Sequence, residues 1–110
     1  MANFDSIRAL VLGLPEAVEQ DHHGFPSGRV RGKIFCTYRA EPTRLMVRLD
    51  PDDQHNLCEA HPELLAPVPG FWGRKGATYV NYGGADDALL TMLLKLAWTG
   101  VAPKSLRDAI

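Results

Sequence analysis

The sequence predicts an α+β fold, one antiparallel sheet packed on helices in a single domain. Two-residue alternation is concentrated between residues 29 and 49 and again at 77–82, while apolar residues at helical spacing occupy both ends. Links between the strand-like runs are mostly of hairpin length, too short for the crossovers that a parallel sheet needs. With 110 residues, 45% hydrophobic and 23% charged, the chain can bury one core without disulfide or metal staples.

Phe4, Ile7, Val11 and Leu14 recur at helical spacing, Asp5 or Ser6 is placed to cap the first free amides, and Gly13-Leu14-Pro15 ends the run. Residues 18–25 are polar, alternate weakly and are followed closely by Pro26 and Gly28, which predicts a ragged edge strand and a turn. Arg29-Val30-Arg31 and the run from Lys33 to Arg39 then read as two strands joined tightly at Gly32. In the second, Ile34, Cys36 and Tyr38 share one face and Lys33, Phe35, Thr37 and Arg39 the other.

After a loop over residues 40–43, the run from Arg44 to Leu49 alternates most cleanly, with Leu45, Val47 and Leu49 inward and Arg44, Met46 and Arg48 outward. Asp50 caps a second helix, with Pro51 at its first position and Asp52 and Asp53 where the helix dipole favours them; it runs to about Glu59. Prolines 62, 67 and 69 and glycines 70, 73 and 76 make residues 61–76 a long ordered loop that embeds Phe71 and Trp72. Ala77 to Tyr82 reads as the last strand. Asp86 and Asp87 open an apolar helix from about Ala85 to Trp98, closed by Gly100, and Ser105 to Ile110 add one terminal turn. Leu45, Val47, Leu49, Leu89, Leu93 and Leu96 are the expected core.

No motif of high chemical specificity appears. His22-His23, adjacent on a strand, point to opposite faces, and His55 and His61 are spaced for neither helical ligand pairing, so no metal site and no cofactor is expected. Cys36 and Cys58 lie apart in apolar-periodic segments, as small hydrophobes in a reducing cytoplasm do, and suggest neither a disulfide nor a catalytic thiol. The carboxylate pairs Asp52-Asp53 and Asp86-Asp87 are explained by helix capping, so no catalytic residue is assigned. The segment Gly70-Phe71-Trp72-Gly73-Arg74-Lys75-Gly76 leads into a strand rather than a helix and is no P-loop. Asp5 precedes a short, broken apolar stretch at the N-terminus, and the longest apolar run, from Ala88 to Trp98, is about half of a membrane span, so neither a leader nor a membrane partner is expected.

Formal net charge is −1, but between Arg29 and Arg48 six cations stand against the single acid Glu41. Together with Arg74 and Lys75 beside Trp72, this run offers phosphate-binding and base-stacking chemistry. Candidate nucleic-acid-binding residues are therefore Arg29, Arg31, Lys33, Trp72, Arg74 and Lys75, acting on DNA weakly and without sequence preference. The alternative is an adaptor or chaperone-like module that binds a protein partner. An exposed cluster of Phe35, Met46 and Tyr79 would favour the protein partner, and one continuous basic stripe would favour nucleic acid.

The segments LPEAVE, RVRGKIFCTY and PGFWGRKGATYV, with Ala97-Trp98 followed by Ala102-Pro103, resemble the MmcQ/YjbR family over nearly the whole chain. Shared features include Leu14-Pro15-Glu16 at the end of helix one, Glu19, the Gly32-Lys33-Ile34-Phe35 hairpin, Asp50-Pro51 and Gly73-Arg74-Lys75-Gly76. The resemblance implies a small two-layer α+β domain, similar to type III secretion chaperones, and a DNA-binding role. It carries over no catalytic residue; Lys33, Arg74 and Lys75 transfer as motif positions bearing exposed charge. Ala77 stands where members often have tryptophan, leaving less aromatic surface here.

Overall fold

A computed structural model describes residues 2–108. In chain order it contains α1 (Phe4–Leu12), β1 (Ala17–His22), β2 (Phe25–Val30), β3 (Lys33–Arg39), β4 (Arg44–Arg48), α2 (Pro51–Ala60), β5 (Leu65–Pro67), α3 (Phe71–Arg74), β6 (Ala77–Val80), α4 (Asp87–Val101) and α5 (Lys104–Arg107). A short 3-10 turn, Tyr82–Gly84, joins β6 to α4. All strands belong to one sheet of order β1-β2-β3-β4-β6-β5 in which every neighbouring pair is antiparallel. The α+β architecture is the expected one.

Four local features differ from the sequence reading, each because tertiary pairing overrides local composition. First, residues 18–25 hold the expected edge strand and turn, but the strand is regular rather than ragged, β1 pairing with β2 over its whole length from Ala17↔Val30 to His22↔Phe25, and β2 already begins at Phe25. His23 and Gly24, like Arg31 and Gly32, both have positive φ, the backbone that lets a two-residue turn match the twist of its strands. Second, Gly28 faces Cys36 while Arg29 faces Ile34, so Phe35 is an extra residue in β3. That β-bulge turns both Phe35 and Cys36 into the core, and Phe35 is fully buried rather than sharing the outer face.

Third, the segment 61–76 holds β5 and α3 instead of being loop throughout. Fourth, α4 continues through Gly100 to Val101, and its buried stripe is Leu90, Leu93, Leu94, Ala97 and Trp98; Leu89 and Leu96 are only partly buried. Leu45, Val47 and Leu49 are buried as expected. The terminal turn spans Lys104–Arg107, and residues 109 and 110 of the expected turn lie outside the described residues.

Helices α1 and α4 pack on one face of the sheet, which carries Val30, Phe35, Cys36, Tyr38, Leu45, Val47 and Val80 into the core. Polar anchors fix their positions: Trp98 Nε1 donates to the Pro15 carbonyl at 3.0 Å, and Tyr82 Oη donates to the Arg39 carbonyl at 2.8 Å. At the sheet edge Arg8 binds Glu19 bidentately at 2.8 and 3.0 Å, and Tyr38 Oη donates to the same carboxylate. Arg8 first, then Tyr38, holds the Glu19 carboxyl below its usual range. No helix among the described residues is long and apolar enough to cross a membrane.

Two outcomes follow from this packing. Leu93→Ala should destabilise by about 2–5 kcal/mol in urea melts, because a fully buried leucine loses transfer energy and leaves a cavity. Glu19 contributes stability above the unfolded carboxylate pKa and loses it as pH falls through the lower folded value. Glu19→Gln should therefore be less stable than the parent at neutral pH, and the gap in melting midpoint should narrow as the pH falls through that range.

Candidate nucleic-acid interface

Because only one face of the sheet is covered by helices, strand alternation sorts the remaining side chains onto an open face. Cross-strand register puts Arg29, Arg39, Arg44 and Arg48 there, with Phe25, Met46 and Tyr79. None of the chain's thirteen acids occupies a strand position on this face; Glu19 and Asp21 of β1 alternate to the helix side. Among the described residues, none of these four arginines pairs with a carboxylate within 4.0 Å. The net charge of −1 thus conceals a one-sided distribution.

At the end of the sheet formed by the β2–β3 turn, the open face runs into a groove of about 820 Å³. Five cations line it: Arg29 from β2, Lys33 from β3, Arg48 from β4, Lys75 just after α3, and Arg107 from α5. Two carboxylates, Asp50 and Asp53, also line it. Asp50 is occupied as the N-cap of α2, its Oδ2 accepting from the Asp52 amide at 3.0 Å. The Arg29 guanidinium is turned back along β2, away from the β2–β3 turn, by hydrogen bonds to Ser27 Oγ (3.1 Å) and the Asp21 carbonyl (3.3 Å).

Of the six residues expected from sequence, the structure brings Arg29, Lys33 and Lys75 into one groove. Arg31 is committed elsewhere, bonded to Glu16 at 3.1 and 3.2 Å. Trp72 and Arg74 lie on α3, outside the groove lining; Trp72 is 61% exposed and stands edge-to-face with Phe71, their centroids 5.3 Å apart. Lys75 Nζ sits 5.4 Å from the Phe71 ring centroid, so the aromatic pair adjoins the groove. Arg48 and Arg107 were missed as groove residues. The outward alternation of β4 was a usable signal for Arg48, whereas only tertiary folding delivers Arg107.

The glycine-rich segment that carries Lys75 is held by a buried side chain. Gln54 of α2 donates from Nε2 to the carbonyls of Gly73 (2.9 Å) and Ala77 (3.0 Å) and toward Thr78 Oγ1 (3.2 Å). Thr78 in turn donates to the Gly76 carbonyl at 3.0 Å. Gly73 lies against the Val68 carbonyl and Gly76, at φ +109°, against the Leu49 carbonyl, so a Cβ at either position would collide with backbone. The Gly73-Arg74-Lys75-Gly76 motif is thus a packing requirement that sets the two cations on a fixed turn.

Thiol nucleophilicity finds no support at Cys36, whose pKa burial pushes up to about 12. The described residues contain no group of three or more metal-ligating side chains; His55 Nε2 meets Glu59 at 2.8 Å within α2.

A six-stranded antiparallel sheet with helices on one side, a cationic groove at one end and an arginine-bearing open face defines a small α+β domain of recognisable type. The chain belongs to the YjbR family, whose sequence model matches residues 12–99. No curated protein matches it. Among solved structures it is similar in fold to the crystal structure of Deinococcus radiodurans protein DR2400, of the DUF419 domain family, with 22% identity, a TM-score of 0.80, and coverage of 99% of this chain and 88% of that one.

Removing the Gln54 amide takes one of two donors from each of the buried Gly73 and Ala77 carbonyls, which keep the Gly76 and Val68 amides, and cuts the tie between α2 and the segment. Gln54→Ala should destabilise by about 1–3 kcal/mol in urea melts, and amide hydrogen exchange should accelerate most over residues 73–78. Uniform acceleration across the chain, with no excess there, would show that the amide does not anchor the segment.

Proposed function

We propose that this protein is a non-enzymatic, cytoplasmic nucleic-acid-binding protein that contacts the phosphate backbone of DNA weakly and without sequence preference. The observation that carries the reading is the groove at the β2–β3 end of the sheet, where Arg29, Lys33, Arg48, Lys75 and Arg107 converge against only two carboxylates. Phosphate contacts release counterions and account for affinity without sequence readout. An overall charge near zero opposes tight binding, and the segregation of cations supplies the local potential that the total lacks. Two free cysteines are in keeping with a reducing, cytoplasmic setting.

Exposure of Phe71 (54%) and Trp72 (61%) supports the second reading, a protein-docking module, since these are the most exposed large apolar side chains among the described residues. The cluster that would have favoured it most is not formed, because Phe35 is buried.

Titration of unrelated duplexes at several salt concentrations separates the two. Lys33→Ala with Lys75→Ala should weaken binding similarly for every duplex and lower the salt slope by about 2, roughly one unit per lost phosphate contact. Arg31→Ala, already paired with Glu16, should change the slope little. Undetectable binding at low salt, or a slope unmoved by the double substitution, would leave the docking module as the standing reading.

A further inference from the structure

Across the open face, toward the end of the sheet opposite the groove, four side chains on β2, β3, β4 and β6 adjoin one another in a staggered row, Phe25, Arg39 and Arg44 nearly in line and Tyr79, the partner of Met46, diagonal to Arg44. Arg39 lies over the Phe25 ring with its Cζ 3.8 Å from the centroid, and Arg44 lies over the Tyr79 ring at 4.3 Å. Arg39 and Arg44 are themselves cross-strand partners. The order across the strands therefore reads ring, guanidinium, guanidinium, ring, with Tyr79 displaced two positions along β6 from the line of the other three.

Like charges directly opposite one another on paired strands repel, and no carboxylate relieves this pair within 4.0 Å among the described residues. Glu41 is the acid nearest along the chain and Glu63 shares the adjoining hollow, and neither forms such an ion pair. An anion placed between the two guanidinia would remove the repulsion. Each guanidinium carbon also lies over a ring, which restricts the guanidinium's orientation. Arginine planes and aromatic rings are the surfaces on which unpaired bases stack, and a sheet of four strands has room for two or three bases. Beyond Tyr79 the row opens into a hollow of about 330 Å³ whose lining includes Thr43, Ala66, Asn81 and, on the acidic side, Glu63.

We infer that this row is a platform for single-stranded nucleic acid, with a phosphate between Arg39 and Arg44 and the flanking bases stacked on their guanidinium planes and on the exposed parts of Phe25 and Tyr79. The inference rests on the nucleic-acid reading above and deepens it: the groove holds backbone of any kind, whereas the row selects strands whose bases are free. A duplex keeps its base faces inside the stack and cannot use the row in this way.

The test compares a labelled oligothymidylate with the same strand annealed to its complement, by fluorescence anisotropy at low salt. The parent protein should bind the single strand more tightly. Arg39→Lys with Arg44→Lys keeps both charges and removes both planes, so it should lower single-strand affinity by about tenfold or more while leaving duplex affinity within about twofold. Tyr79→Leu, a milder change at a half-exposed position, should lower single-strand affinity in the same direction and is decisive should the double variant melt early. Equal affinity of the parent for both probes, or a single-strand preference unmoved by both variants, would overturn the platform and leave the groove standing. Failure of both probes to bind would overturn the platform and the nucleic-acid reading together.

Discussion

The place of Lys75 in the groove depends on the buried amide of Gln54. Its Nε2 reaches two carbonyls and a hydroxyl on the segment from Gly73 to Thr78, and Thr78 passes the tie on to Gly76. A buried donor with nothing to bind is costly, and so is a buried carbonyl, so α2 and this segment hold each other in one register. The backbone ladder continues the constraint: the Gly76 carbonyl also accepts from Leu49 at the end of β4, and the Val68 amide donates to Ala77. Lys75 is therefore fixed relative to Arg48, two residues beyond which α2 is capped, although 27 positions separate them in the chain. The geometry of the groove is a consequence of core satisfaction, which explains how a surface site can be positioned by residues that never touch solvent.

Charge sorting is the second consequence of the same architecture. A strand places alternate residues on opposite faces, so a run such as Arg44-Leu45-Met46-Val47-Arg48 becomes a buried apolar edge and an exposed cationic one without any long-range instruction. Pairing then multiplies the effect, because antiparallel register brings Arg39 to Arg44. The acids are gathered at helix starts, where Asp50, Asp52, Asp53, Asp86 and Asp87 serve capping and the helix dipole, and on the helix side of β1. A chain that is almost neutral in sum is in this way strongly polar in space.

Much of the fold was legible in the sequence because it is written in local periodicity. The β4 alternation, the capped start of α2 with Pro51 at its first position, and the apolar run of α4 each state their structure within a few residues. Features decided by pairing were not legible. Phe25-Pro26-Ser27-Gly28 has the composition of a loop, yet β1 on one side and β3 on the other impose a strand. Nothing within the run from Lys33 to Arg39 announces that Phe35 is the extra residue of a bulge, because the bulge is a property of its register against β2. The site divides along the same line: Lys33 and Lys75 could be read as charge beside turn residues, but the pairing of Arg31 with Glu16 and the arrival of Arg107 in the groove depend on tertiary geometry.

Arginines on an open sheet face also have a structural task, since their stems cover apolar surface while the guanidinium reaches water. Met46 and Tyr79 are half-buried on the open face, and Arg29, Arg39 and Arg44 are likewise only partly exposed. Such cover would be provided equally well by lysine, or by an arginine with a carboxylate beside it, as Arg8 and Arg31 have elsewhere in the chain. What cover alone does not account for is the conjunction seen here, two cross-strand arginines each with its guanidinium over a ring and neither paired with an acid. Stacking lowers the desolvation needed to bring an anion onto the guanidinium, and the unrelieved repulsion raises the free energy of the empty state. Both effects act in one direction, and on the proposed reading they favour a polyanion on this face.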